Sequence, residues 1–137
     1  MRNRWTIATC SFVALFGWSV ATAEKPPENF QKAMKDIGGS LQAANKAIQA
    51  EDLQAVADNA GKIVEAFTVV EKYWIGKADD AVKASQIASK AASDMRVAAT
   101  LMSADGVVFS NKELTDTCAP CHTAHREKMP DGTFMIK

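Results

Sequence analysis

Apolar residues recur at steps of three and four along most of the chain, which is the pattern of helices that bury one face. The first helix is predicted to begin after Pro26-Pro27, because proline is accepted at a helix start and prevents helix before it. Gly38-Gly39 falls inside this helix at some cost in helix propensity and suggests the close approach of a neighbouring helix or of a bulky group. The apolar stripe consists of Phe30, Met34, Ile37, Leu41, Ala44 and Ile48.

A second and a third stripe follow, separated by recognisable stop signals. The second helix is predicted after the corner at residues 49–52 and ends near Gly76, a typical residue just beyond a helix. Its stripe consists of Leu53, Val56, Ala60, Ile63, Val64, Phe67, Val70 and Trp74. The third helix is predicted from about Ala78 to Ser103. Its apolar side consists of Val82, Ile87, Ala91, Met95, Ala98, Leu101 and Met102.

The fourth helix is predicted to begin at a capping box. Asp105-Gly106 has the composition of a turn, and Ser110 with Glu113 three residues later has the spacing of a helix start. The tail from Pro130 onward is predicted to be a turn and an irregular end. Four helices of similar length with short connections, and no strictly alternating segment, predict an all-α protein that forms an antiparallel four-helix bundle.

The first 23 residues have a different character from the rest of the chain. Arg2 and Arg4 precede an apolar run over residues 5–20, which ends in the small-residue pattern Ala21-Thr22-Ala23. This predicts a signal peptide over residues 1–23 and a mature domain over residues 24–137, located in a periplasm or otherwise exported. A membrane anchor is the alternative, but the run is short for a bilayer and is interrupted by Thr and Ser.

The net charge of the chain limits the kinds of partner that are expected. The chain has 16 basic and 16 acidic side chains, and cleavage would remove Arg2 and Arg4, so the mature protein is slightly acidic. Nucleic acid is therefore not an expected partner, because its phosphates require a basic face. No later segment has the length of a membrane helix, so stable membrane insertion is not expected either.

Cleavage would also remove Cys10 and leave Cys118 and Cys121 as the only cysteines. Together with His122 they form Cys-x-x-Cys-His, the pattern of c-type haem attachment. Residues three and four apart share one face of a helix, so both thiols can add to the two vinyl groups of one haem. His122 is then placed beneath the iron as its proximal ligand. The expected cofactor is one covalently attached haem c, with its iron, per chain.

Three other interpretations of the two cysteines remain open. A structural disulfide would leave His122 without a role. A thioredoxin-like redox pair normally lies at a strand-to-helix junction, which this helical chain does not offer. A zinc site could use Cys118, Cys121 and His125, but structural zinc takes four ligands.

The haem motif and the first helix together give the chain a resemblance to the class II cytochromes c, the cytochrome c prime family. In that family the motif lies in the last helix of a four-helix bundle and is followed by an aromatic residue and an arginine. Here His125 takes the place of the usual tyrosine and is followed by Arg126. Residues 33–39 are similar to the segment that covers the distal haem face. The resemblance covers residues 28–128.

The resemblance implies that Met34 occupies the distal position opposite the iron. A methionine there implies a low-spin iron with His122 and Met34 as its two ligands, and Arg126 beside a haem propionate. Without the haem motif and the resemblance, ordinary core packing would be the better explanation of Met34. An apolar non-ligand at the distal position would instead leave the iron five-coordinate and able to bind nitric oxide or carbon monoxide.

The predicted function is therefore that of a soluble, exported one-electron carrier. Its partners would be protein electron donors and acceptors, and pairing through the first two helices would give a homodimer. Enzymatic activity is not expected, because the sequence around the motif shows no constellation of residues for acid–base or nucleophilic catalysis. The alternatives are a gas-binding protein with five-coordinate haem and a helical interaction protein without haem.

Overall fold

A computed structural model describes residues 23–137, so the predicted signal peptide lies outside the described residues apart from Ala23. The described chain is all-helical except for a small sheet, which confirms the predicted all-α class. It is consistent with a four-helix bundle. Its elements are α1 (Glu28–Gln49), α2 (Leu53–Trp74), α3 (Asp79–Thr100), α4 (Ala104–His125), β1 (Arg126–Lys128) and β2 (Phe134–Ile136).

The ends of the first two helices follow from their local sequence. α1 begins directly after Pro27, as predicted, and continues without a break through Gly38-Gly39. α2 begins at the cap Asp52, whose carboxylate accepts a hydrogen bond of 3.0 Å from the N–H of Ala55. It ends before Gly76, which has the left-handed φ of 76° that glycine adopts without strain.

The start of α4 corrects the prediction of a capping box at Ser110. The helix begins seven residues earlier, with Ser103 as the cap that accepts a hydrogen bond from the N–H of Gly106. The chain turns at Met102, whose φ is 57°. A methionine carries no turn signal, because this conformation is usually taken by glycine or asparagine. Asp105 and Gly106, predicted as the turn, therefore lie in the first turn of the helix.

The C-terminal tail is also more ordered than predicted. β1 and β2 form an antiparallel pair in which Arg126 lies opposite Ile136. Ile136 also pairs with Glu24, with backbone N–H···O distances of 2.7 and 2.8 Å. The expectation of an irregular end was wrong because strands of three residues are too short to show alternation. One further bridge pairs Ile136 with Glu24, which lies far away in sequence and which no local pattern could indicate.

The four helices pack in the order of the sequence. Short turns make successive helices antiparallel, and α2 packs extensively on α1 and α3, as does α3 on α4. α1 and α4 approach each other closely at few points at most. The side of the structure between α1 and α4 is therefore its loosely packed side.

The core agrees with the predicted stripes except in α3. The predictions that Phe67, Trp74 and Met95 belong to the core are confirmed. Three residues of the third stripe that were predicted to lie in the core are exposed, so the prediction was wrong for them. Ile87, Leu101 and Met102 are 50%, 73% and 78% exposed. The buried face of α3 consists of small residues around Met95, namely Ala81, Ser85, Ala88, Ala91, Ala92 and Ala99. No helix within residues 23–137 has the length and apolar character needed to cross a membrane.

Candidate functional site

Cys118 and Cys121 lie near the end of α4. Both are half-buried and neither forms a disulfide. The thiol of Cys118 donates a hydrogen bond of 3.3 Å to the carbonyl of Leu114, and Cys121 packs against the core. Pro120 lies between them within the helix and has no N–H to donate. The cysteines are thus free thiols one helical turn apart.

Burial raises the pKa of both thiols, and the negative charge of Asp80 raises the pKa of Cys121 further. Redox-active cysteines have lowered pKa values because the thiolate is the reactive form. Both shifts run opposite to the lowered pKa that the nucleophilic cysteine of a thioredoxin-like pair has. Within residues 23–137, no group of three or more His, Cys, Asp or Glu side chains is arranged to hold a metal ion by itself.

His122 is half-buried beside the second cysteine. Burial lowers the pKa of its imidazole, and the nearby positive charge of Arg126 lowers that pKa further. The neutral imidazole is the form that binds metals. The environment of His122 therefore favours the ligating form at neutral pH.

The second histidine of α4 faces another part of the structure. His125 Nε2 lies 2.8 Å from Oδ2 of Asp80 at the start of α3, and its ring centroid is 4.9 Å from that of Trp74. The hydrogen bond with His125 lowers the pKa of Asp80. His125 thus ties the end of α4 to α2 and α3. The sequence did not point to Asp80, because the two residues are 45 positions apart.

A polar contact links α4 to α1 on the loosely packed side. Nδ2 of Asn111 donates a hydrogen bond of 2.8 Å to Oδ1 of Asn45. Neither residue is among the predicted site residues. The one feature of the sequence that could have pointed to Asn45 is its position within the apolar stripe of α1. It lies four residues after Leu41 and three before Ile48, where a polar side chain is unexpected.

Counting from this hydrogen bond gives the register of the two antiparallel helices. Seven residues, or about two turns, lead back to Gly38 in α1 and forward to Cys118 in α4. Eleven residues, or about three turns, lead to Met34 and to His122. Residues separated by whole turns share one face, so Met34 lies on the same side as Asn45 and level with His122. We refer to the facing surfaces defined by these three residue pairs as the α1–α4 interface.

The α1–α4 interface has open space at the level of the cysteines. Gly38 is exposed, and a Cβ atom built there would meet nothing within 4 Å; the same holds for Gly39. The expectation that a neighbouring helix approaches these glycines closely is therefore wrong. Met34 is half-buried against the edge of the core. Two surface grooves lie elsewhere, between α1 and α2 and between α2 and α3, and neither is lined by Met34, Cys118 or His122.

An aromatic cluster lies where α1 begins and α2 ends, and its Trp74 contacts His125 of α4. The ring of Trp74 lies 5.9 Å from that of Phe30 and 5.0 Å from that of Tyr73. Tyr73 Oη and Trp74 Nε1 are buried, and the described protein atoms give them no hydrogen-bond partner. Unpaired buried donors are costly and rare, so this end of the structure lacks an acceptor.

Arg126 follows α4 directly and lies on the strand β1. It is exposed, and its guanidinium carbon is 4.1 Å from the ring centroid of Phe134 on β2. The cation–π contact anchors the side chain to the hairpin. Its predicted pairing with a haem propionate stays a prediction.

The chain was compared with known protein families, curated proteins and solved structures. No protein-family model, curated protein or solved structure matches the chain.

Proposed function

We propose that the chain is an exported c-type cytochrome of the class II type that carries one electron at a time between other proteins. Cys118 and Cys121 hold a single haem c through thioether bonds, and His122 and Met34 are the iron ligands. The observation that supports this most strongly is that the Cys-x-x-Cys-His motif lies on α4 and that Met34 and His122 are each eleven residues from the hydrogen bond that joins α1 to α4.

The residues of the site fit a haem in several independent ways. Cys118 and Cys121 are free and one turn apart, as two thioether bonds to one haem require. Gly38 leaves space between them and α1. Tyr73 Oη and Trp74 Nε1 are buried donors without an acceptor. The propionates of a haem could accept hydrogen bonds from them.

The protein's contribution to electron transfer follows from these residues. The haem supplies an iron that changes reversibly between the ferric and ferrous states. His122 offers an imidazole nitrogen and Met34 a thioether sulfur, and this pair raises the reduction potential relative to two imidazoles. If His122 and Met34 both bind the iron, they would leave no position for a gas, which would favour electron transfer over gas binding. Thioether bonds to Cys118 and Cys121 prevent loss of the haem outside the cell.

Absorption spectra of the protein test this function. The full-length precursor would be expressed in a bacterium that attaches haem to exported proteins, and the purified ferric and ferrous forms would be recorded with and without carbon monoxide. We expect a low-spin six-coordinate ferric spectrum and slow, weak carbon monoxide binding, because the gas must displace Met34. A high-spin ferric spectrum with rapid carbon monoxide binding would support the gas-binding alternative, and a colourless protein would reject haem altogether.

A further inference from the structure

The hydrogen bond between Asn45 and Asn111 is unusual for its position. It joins two helices that otherwise approach each other closely at few points. Both side chains are half-buried, and Asn45 lies within the apolar stripe of α1. Among the described residues it is the one side-chain hydrogen bond between these two helices.

The pair does not have the features expected of a contact selected for stability alone. While Nδ2 of Asn111 donates to Asn45, Oδ1 of Asn111 is buried without a partner. An apolar pair of similar shape would leave no polar atom unsatisfied and is expected to be at least as stable. Buried asparagine pairs are instead known to fix the register of packed helices at some cost in stability.

Register matters here because the α1–α4 interface has little packing to set it. The connection between the two helices runs through α2 and α3, so small displacements at three helix interfaces add up at this one. The other link on this side is the backbone pairing of Glu24 with Ile136, and both of these residues lie outside the helices. A shift of one helical turn would move Met34 by about 5 Å along α1 relative to His122.

We propose that the Asn45–Asn111 hydrogen bond is a positioning element that fixes the axial register of α1 against α4 and so brings Met34 level with His122. Its consequence at the iron rests on the proposed function. The register itself is a property of the polypeptide and can be measured without haem.

The first test uses the haem-loaded protein and the double variant Asn45→Leu/Asn111→Leu. Its matched control is Asn59→Leu, which replaces a half-buried asparagine whose side chain bonds only within its own helix, to the carbonyl of Ala55. We expect the double variant to unfold at the same or a higher temperature than the wild type, while the high-spin fraction of its ferric iron rises several-fold. The control should keep the wild-type spectrum.

Two results of this test would overturn the proposal. One is a double variant that keeps the full low-spin spectrum, and the other is a loss of stability in proportion to the loss of the low-spin form, which would indicate a merely stabilising contact. If the leucine pair does not fold, Asn45→Ala/Asn111→Ala is judged by the same two criteria.

The second test reads the register without haem. Lys46 and Lys112 are exposed neighbours of the two asparagines, so a short amine-reactive cross-linker should join them in the wild type. The yield, measured by mass spectrometry, should fall several-fold in the double variant and stay unchanged in Asn59→Leu. An unchanged yield in the double variant would contradict the proposal. If the wild type carries no haem, the proposed function fails while this comparison still decides the register.

Discussion

Met34 and Met95 are both methionines on apolar helix faces, but their surroundings differ. Met95 is completely buried in the centre of the core. Met34 is half-buried and lies level with His122 across the α1–α4 interface. The periodicity of the sequence places both residues on apolar stripes and cannot distinguish them. The difference comes from long-range packing, which leaves one side of α1 without a close neighbour.

The substitution Met34→Leu should therefore act on the iron, whereas Met95→Leu should act only on packing. Leucine keeps the apolar volume but removes the sulfur, so we expect Met34→Leu to give a high-spin ferric spectrum and rapid carbon monoxide binding. Met95→Leu should keep the low-spin spectrum and cost less than about 1.5 kcal/mol in the free energy of unfolding. Identical spectra for wild type and Met34→Leu would remove Met34 as a ligand.

Asp80 should contribute to stability in a pH-dependent way through its hydrogen bond with His125. This bond lowers the pKa of Asp80 from its ordinary value of 3.8. A carboxylate with a lowered pKa in the folded state stabilises the fold above its unfolded pKa, and the contribution is lost as the pH falls through the folded pKa. Asp80→Asn should therefore unfold at a lower temperature than the wild type at pH 7, and the difference should shrink below pH 4.

The matched control for this measurement is Asp79→Asn. Asp79 lies in the same first turn of α3, so both substitutions remove one negative charge from the helix N-terminus. Only Asp80 bonds to His125. Equal effects of the two substitutions, or a difference that persists unchanged to pH 3, would contradict the role of the hydrogen bond.

For the individual helices, some boundaries and buried faces could be predicted from nearby residues and others could not. Pro27 and Gly76 restrict the backbone directly, so the start of α1 and the end of α2 could be predicted from them. The start of α4 could not, because Met102 adopts a left-handed conformation without any residue type that announces it. The Ala-rich face of α3 was misjudged because large residues were expected to mark the core, whereas close helix packing selected small ones.

Alanine substitutions at the two glycines of α1 can distinguish an effect on helix propensity from an effect on the space that a haem would need. Neither site would bring a new Cβ within 4 Å of another protein atom. Gly38 lies level with Cys118 on the α1–α4 interface, whereas Gly39 borders the groove between α1 and α2. Gly39→Ala should therefore stabilise the protein by about 0.5–1 kcal/mol without changing the spectrum.

Gly38→Ala should have the same favourable effect on the helix but should also alter the iron spectrum or reduce the amount of attached haem. Thermal unfolding and the ferric spectrum of both variants, measured together, check this expectation. Indistinguishable behaviour of the two variants would mean that the haem does not approach α1 at Gly38.

For the whole molecule, the sequence predicts the number of helices and the position of the motif in the last one. It does not reveal how the segment before α1 meets the segment after α4. The pairing of Glu24 with Ile136, the bond between Asn45 and Asn111, and the open space beside Gly38 all depend on residues far apart in sequence. The chain is therefore linked at two distant points, once between α1 and α4 and once between the segments that flank them, and the candidate ligands lie between these points in sequence.

The most direct test of covalent haem attachment is the intact mass of the exported protein. The full-length chain would be produced in a host that attaches haem to exported proteins, and the denatured product would be compared with a Cys118→Ala/Cys121→Ala variant. We expect the wild-type polypeptide to carry the additional mass of one haem, retained in denaturant, and the variant to carry none. A wild-type mass equal to that of the cleaved polypeptide alone would contradict the account.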